Sequence, residues 1–182
     1  LIPLGLVVAL LAGPCANAVL ASDGPIRVLF LGHESNHHNS NEFHPMLARA
    51  LGRDAIYFDY VTSVEEALGD ADYLGKFDVL LLYANHGKIE PHQWQNLLNY
   101  VRSGGGFMPV HCASWCFGNE PGFDQLVGAR FKSHQGTEFS ARIVKADHPA
   151  MVGVKEFEAW DETYFHHNHN CLLYTSPSPR DG

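Results

Sequence analysis

The chain is short of basic residues and of cysteine, and each shortage closes off a class of function. Of its 182 residues, 12 are Lys or Arg against 20 Asp or Glu, a formal net charge of −8. No basic stripe runs along it, which argues against binding DNA or RNA, since phosphate neutralisation needs clustered cations. Of the four cysteines, Cys15 and Cys171 fall in terminal segments unlike the rest, which leaves Cys112 and Cys116. That pair is able to join in an oxidising compartment, but two cysteines make no disulfide scaffold. Cys-x-x-x-Cys alone is also a poor zinc signature. No apolar run reaches the ~18 residues of a membrane span. No His-x-x-x-His pair falls on one predicted helix. The first residue is Leu1, not Met, so the sequence reads as incomplete at its N-terminus.

What is present is a chain rich in histidine, with 12 of them unevenly placed, and a hydrophobic content of 46%. The second figure is enough for a real core in one domain. The first hints at metal or proton chemistry. Leu1 to Leu11 is apolar and leads through Gly13-Pro14 to Ala16-Asn17-Ala18, with a second small-residue site at Val19-Leu20-Ala21. This is the pattern of a secretory leader without its charged start. Residues 1–22 are therefore expected to be a signal peptide, and the protein to be exported, periplasmic or extracellular. Pro14 stands where a lipoprotein site at Cys15 needs a small residue. The closing CLLYTSPSPRDG, residues 171–182, shares no pattern with what precedes it and resembles translated adapter sequence. The expected domain is thus 23–170, truncated at its C-terminus.

Within it, strands and helices alternate. Ile26 to Gly32, Ala55 to Tyr60, Phe77 to Tyr83 and Phe107 to Val110 read as strands, because buried parallel strands show continuous apolar runs. Glu42 to Leu51 reads as a helix with Pro45 in its first turn. Ser63 with Glu66 is a capping box. Pro91 to Arg102 is a helix with Trp94, Leu97, Leu98 and Val101 along one side, and Gly104 to Gly106 ends it. Phe123 to Val127 is a short helix, and Thr137 to Val144 alternates like an edge or hairpin strand. Short connections between alternating elements give a parallel α/β sheet with right-handed crossovers.

Three of the strands stop at a histidine: Gly32-His33, Asn85-His86 and Val110-His111. If the strands are parallel, these residues share the carboxyl edge, where open α/β sheets bind ligands. The fourth strand ends most abruptly, at His111-Cys112-Ala113-Ser114-Trp115. His111 is suited to act as acid, base or ligand. Cys112 is either a site thiol or an inert core residue. Trp115 offers a flat surface for a sugar ring or packs in the core. Asp161-Glu162, bracketed by Trp160 and Tyr164, is a candidate general base, a metal ligand or a solvated turn. His166, His167 and His169 need no function on a surface loop.

Taken together these residues resemble the ThuA-like family, named for a trehalose-utilisation protein. The resemblance rests on Gly32-His33 with its His/Asn-rich loop, on the glycine-led strand running into His111-Cys112-Ala113, and on His148-Pro149, Gly153, Phe157, Asp161-Glu162 and Tyr164. It covers residues 26–170. It implies the fold of class I glutamine amidotransferases, a flavodoxin-like sheet sandwiched by helices. There a strand-to-helix elbow carries a nucleophilic cysteine. Here His111 takes that position and Cys112 is one residue further on. No Glu follows His148-Pro149 as a triad would require. Glutaminase chemistry is therefore not expected.

The expected function is a role in carbohydrate utilisation on a sugar or keto-sugar. His111, Asp161 and Glu162 are its expected catalytic groups, and His33, His86, Cys112 and Trp115 are expected to line the substrate pocket. A metal-dependent hydrolase or isomerase, with a divalent ion on His33, His86, His111 and a carboxylate, is the second reading. A non-catalytic sugar-binding module of a larger exported protein is the third. The expected partner is a small carbohydrate, with a fused or neighbouring oxidoreductase alongside and no membrane span in the mature domain.

Overall fold

The computed structural model describes residues 24–35 and 37–171. The expected leader and nearly all of the expected adapter segment lie outside the described residues. The elements in chain order are β1 (Ile26–Leu31), α1 (Ser40–Leu51), β2 (Ile56–Val61), α2 (Val64–Leu68), α3 (Ala71–Leu74), β3 (Val79–Leu82), α4 (Pro91–Arg102), β4 (Gly106–Pro109), α5 (Pro121–Val127), β5 (Arg130–Ala141) and β6 (Phe157–His167). The first four strands form one parallel sheet in the order β2–β1–β3–β4. That order is the flavodoxin-like one. β5 and β6 form a separate antiparallel pair.

The strand sequences explain this order. β1 and β3 are central and buried on both faces, so both are apolar throughout their inner residues. Successive side chains point to opposite faces. Leu29, Leu31, Leu80 and Leu82 meet Leu68, Leu74, Trp94, Leu97 and Phe123 from α2 to α5. Val28, Phe30 and Leu81 face the other way, with Leu47 of α1 packed on them. Helix starts follow the local chemistry. Ser63 accepts from the Glu66 amide at the head of α2, and Asp70 accepts from the Asp72 amide at 2.8 Å to start α3. At α4, Gln93 Oε1 accepts from the Glu90 amide at 2.9 Å and Pro91 opens the first turn.

Three placements differ most from the sequence reading. Helix α1 begins at Ser40, so Pro45 lies inside it and not in its first turn. β5 begins at Arg130 and ends at Ala141, where Thr137 to Val144 was expected. Its first half is polar and carries a bulge between Phe131 and Ser133, which hides the alternation. Asp161 and Glu162 lie in β6 opposite Thr137 and Gly136, and not in a turn.

Candidate functional site

β1, β3 and β4 leave the sheet on the same side, since all three are parallel. After β1 the chain must pass close beneath Tyr60 and Ser40. A Cβ on Gly32 would lie 2.5 Å from the Tyr60 ring and hydroxyl and 2.6 Å from Ser40 Oγ, so only glycine fits. The buried His33 then turns inward. Its Nδ1 meets the Asn85 side-chain amide, and its Nε2 donates to the His38 carbonyl at 2.8 Å. His86 Nε2 donates to the Gly32 carbonyl at 2.8 Å. Burial lowers the His86 pKa, against the pull of the Gly32 carbonyl. His33 and His86 therefore sit at the expected edge but brace its loops.

After β4 the chain makes an elbow. The Val110 amide still donates to Leu82 of β3 at 2.9 Å, and at His111 the backbone enters the left-handed region, with φ 51°. This conformation costs a non-glycine residue about 1–3 kcal/mol and lifts its side chain above the sheet edge. Residues His111–Trp115 continue as one tight turn. Cys112 is buried, and burial pushes its thiol up to about 12. The Cys116 thiol is likewise pushed up to about 12 by burial, and its Sγ donates to the Ala84 carbonyl at 3.0 Å. Both cysteines are free thiols. Trp115 is 44% exposed, so it is a surface group and not a core one.

The β5–β6 hairpin closes the site from above. Alternation along β6 puts Glu162, Tyr164 and His166 on one face, and His134 of β5 pairs with Tyr164. Glu162 Oε2 lies 3.4 Å from His111 Nε2, and Oε1 lies 3.6 Å from His134 Nδ1. The Tyr164 hydroxyl donates toward His111 Nε2 at 3.4 Å, with the rings 4.5 Å apart. Burial, then the Glu162 charge, raises the Tyr164 pKa. His166 Nε2 lies 3.2 Å from Ser114 Oγ, whose hydroxyl donates to the His111 carbonyl at 3.2 Å. Arg130 ties the hairpin down. Its guanidinium donates to the Cys116 carbonyl (2.7 Å), the Trp115 carbonyl (2.9 Å) and Asp124 Oδ1 (3.2 Å).

The remaining contributor is His38, which no sequence signal singled out from its polar loop. Its φ is 55°, and its ring stands edge-on to His111 with centroids 4.7 Å apart. Burial, then the proximity of His111, lowers its pKa, so it stays neutral to a lower pH than a free imidazole.

Beside His111 lies a cleft of about 420 Å³, with Trp115, Phe131 and Tyr164 as aromatic surfaces and His37, His38, His134 and Glu162 as polar ones. On the far side of Glu162 and Tyr164 a second hollow of about 360 Å³ is bordered by His111 and His166. The structure thus brings together His111, Glu162, Cys112 and Trp115. Asp161 falls on the opposite face of β6, accepts from the Glu162 amide at 2.7 Å, and shares with His111 a separate apolar hollow bordered by Phe43, Met46 and Tyr83. His37, His38, His134, Phe131 and Tyr164 are lining groups that sequence reasoning did not place in the site. Strand alternation alone was enough to separate Asp161 from Glu162.

A flavodoxin-like sheet whose carboxyl edge carries a strained histidine elbow beneath a hairpin-borne carboxylate defines an α/β domain with a candidate site at the strand ends. The chain belongs to the ThuA family, described as trehalose utilisation, which it matches over residues 27–179. Two solved structures share its fold. A ThuA-like protein from Bacteroides uniformis has 16% identity and a TM-score of 0.68 over 81% of this chain and 64% of that one. A ThuA-like protein from Parabacteroides merdae has 20% identity and a TM-score of 0.63 over 77% and 62%. This chain therefore spans less than two thirds of the length of either structure. No curated protein matches it. Among the described residues no helix is long and apolar enough to cross a membrane.

Proposed function

We propose that this domain is exported and processes a sugar or keto-sugar at the cleft above His111. The observation that carries this reading is the 3.4 Å approach of Glu162 Oε2 to His111 Nε2, with Glu162 also walling a cleft lined by Trp115, Phe131 and Tyr164. An imidazole beside a carboxylate is able to take a proton from a hydroxyl or give one to a carbonyl oxygen. Aromatic faces suit the apolar face of a pyranose, and the Trp115 ring is open to receive one. Tyr164, held protonated by burial, is a donor for an oxygen near His111. The family's description as trehalose utilisation supports the substrate class. Residues 1–22 supply the export signal in this reading, and a fused or neighbouring oxidoreductase supplies or consumes the keto-sugar.

The test is a panel of pyranoses, disaccharides and keto-sugars, followed by saturation-transfer NMR for binding and by chromatography for conversion. Trp115→Ala weakens binding about tenfold, worth about 1.4 kcal/mol. His111→Ala and Glu162→Gln slow conversion by about 10²–10⁴-fold. Equal turnover in parent and both variants removes the catalytic assignment. Binding without turnover for every sugar leaves the non-catalytic module.

A further inference from the structure

We propose that His38, His111 and Glu162 form a binding site for a divalent transition metal ion of the zinc type. The proposal shares the His/carboxylate site of the functional reading and does not rest on the sugar.

Among the described residues these three bring one donor atom each to within 4.8 Å of one another. They come from three separate stretches of chain: the loop after β1, the elbow after β4, and β6. The spacing is informative. Glu162 Oε2 and His111 Nε2 are 3.4 Å apart, longer than a good charge-assisted hydrogen bond of about 2.7–2.9 Å. Two ligands each about 2.1 Å from a tetrahedral zinc ion are about 3.4 Å apart. Glu162 Oε2 is shielded from solvent, and beyond the 3.4 Å approach of His111 Nε2 and the nearby Tyr164 hydroxyl it has no well-formed hydrogen bond among the described residues. A buried carboxylate oxygen left in that state calls for an unseen water or ion. Both histidines carry backbone strain, with φ 55° and 51°, and both strained turns aim their rings at this one point.

The donor set fixes the class of ion. Imidazoles and a carboxylate suit zinc or ferrous iron and are a poor match for magnesium or calcium, which take oxygen ligands. Three protein ligands leave a fourth position open to water or a substrate oxygen, the pattern of catalytic zinc sites. The supporting groups are also present. His134 Nδ1 stands 3.6 Å from Glu162 Oε1, the oxygen left outside the ligand set, and His33 Nε2 donates to the His38 carbonyl. Such outer contacts hold ligands in place.

The experiment is titration calorimetry of the chelator-stripped full chain with Zn²⁺, and with Co²⁺ followed by visible absorption. One equivalent of Zn²⁺ is expected to bind, and Co²⁺ to give the strong absorption of a tetrahedral site. His38→Gln and Glu162→Gln each weaken Zn²⁺ binding at least ~100-fold, while His134→Ala weakens it ~10-fold. The exposed His92→Ala leaves it unchanged, which separates this site from adventitious surface histidines. Circular dichroism confirms that each variant is folded, and the two glutamine variants back each other if one is not. Absence of one-equivalent binding, binding unchanged in both glutamine variants, or Mg²⁺ binding as tightly as Zn²⁺ overturns the proposal. Zn²⁺ binding without any sugar binding removes the carbohydrate reading alone. Sugar turnover without Zn²⁺ binding removes the metal alone.

Discussion

Glu162 is the residue on which the site turns. One of its oxygens is within 3.4 Å of His111 and the other within 3.6 Å of His134, while Asp161 beside it lines a different hollow, on the other side of His111. The pleat of β6 makes this choice, not any difference in chemistry between two carboxylates. Cys112 shows the complementary case. It lines the cleft yet is buried, and its thiol is pushed up to about 12 from 9.0. We predict that iodoacetamide at pH 8 leaves Cys112 and Cys116 unmodified in the native protein and labels both after denaturation; mass spectrometry reads the difference. The same shift has a stability consequence. The unfolded chain releases these thiol protons above about pH 9, and the folded chain keeps them to about 12. Ionisation therefore favours the unfolded state, and this contribution to stability, full below pH 9, is lost as pH rises from 9 to 12. Urea midpoints at pH 8 and pH 10 check the sign, and an unchanged or higher midpoint at pH 10 contradicts it. Gly32→Ala puts a methyl group into the space of Tyr60 and Ser40. It is expected to cost about 1–3 kcal/mol and to lower Tm.

At the scale of elements, the hairpin is what converts a sheet edge into a cleft. β5 and β6 contact the sheet domain mainly through the His111–Trp115 turn, and Arg130 carries much of that contact. It also pairs with the buried Asp124, which accepts in turn from Asn168 at 3.1 Å. Arg130→Ala leaves the carboxylate short of its cation, at a cost of about 3 kcal/mol. Hydrogen exchange in β5, β6 and the 111–117 segment should quicken, while β1 and β3 keep their protection. Uniform destabilisation of all strands instead would show that Arg130 is no local anchor. The sheet was legible in the sequence because β1 and β3 are buried on both faces and must be apolar, and because the ends of β1 and β4 carry Gly32-His33 and Val110-His111. The hairpin was only half legible. The first half of β5 is polar and bulged, so no period stands out. His38 and His134 were not legible as site groups. They are ordinary polar residues, and their convergence with Glu162 depends on a left-handed turn at His38 and on a strand returning from far along the chain. His33 and His86 were legible as edge residues, but both ring nitrogens of His33 meet Asn85 and the His38 carbonyl, and His86 Nε2 meets the Gly32 carbonyl.

For the whole molecule, the sheet order places three strand ends together and leaves the hairpin to roof them. The architecture therefore offers competing places for a ligand. One is the cleft of about 420 Å³ above the elbow, walled by Trp115, Phe131 and Tyr164. Another is a groove of about 370 Å³ on the hairpin itself, bordered by Glu138, Phe139 and Trp160, far from any histidine of the site. The first has a carboxylate, imidazoles and aromatic faces in reach of one small molecule. The second has exposed acids and no imidazole. The most direct measurement is an NMR titration of the labelled protein with the best-binding sugar of the panel, mapping which resonances move. The predicted result is that the Trp115 indole and the Tyr164, His111 and His38 signals shift together at one affinity, and that those of Phe139 and Trp160 do not. Shifts confined to Phe139 and Trp160, or no shift at the elbow at saturating sugar, would contradict the placement of the site.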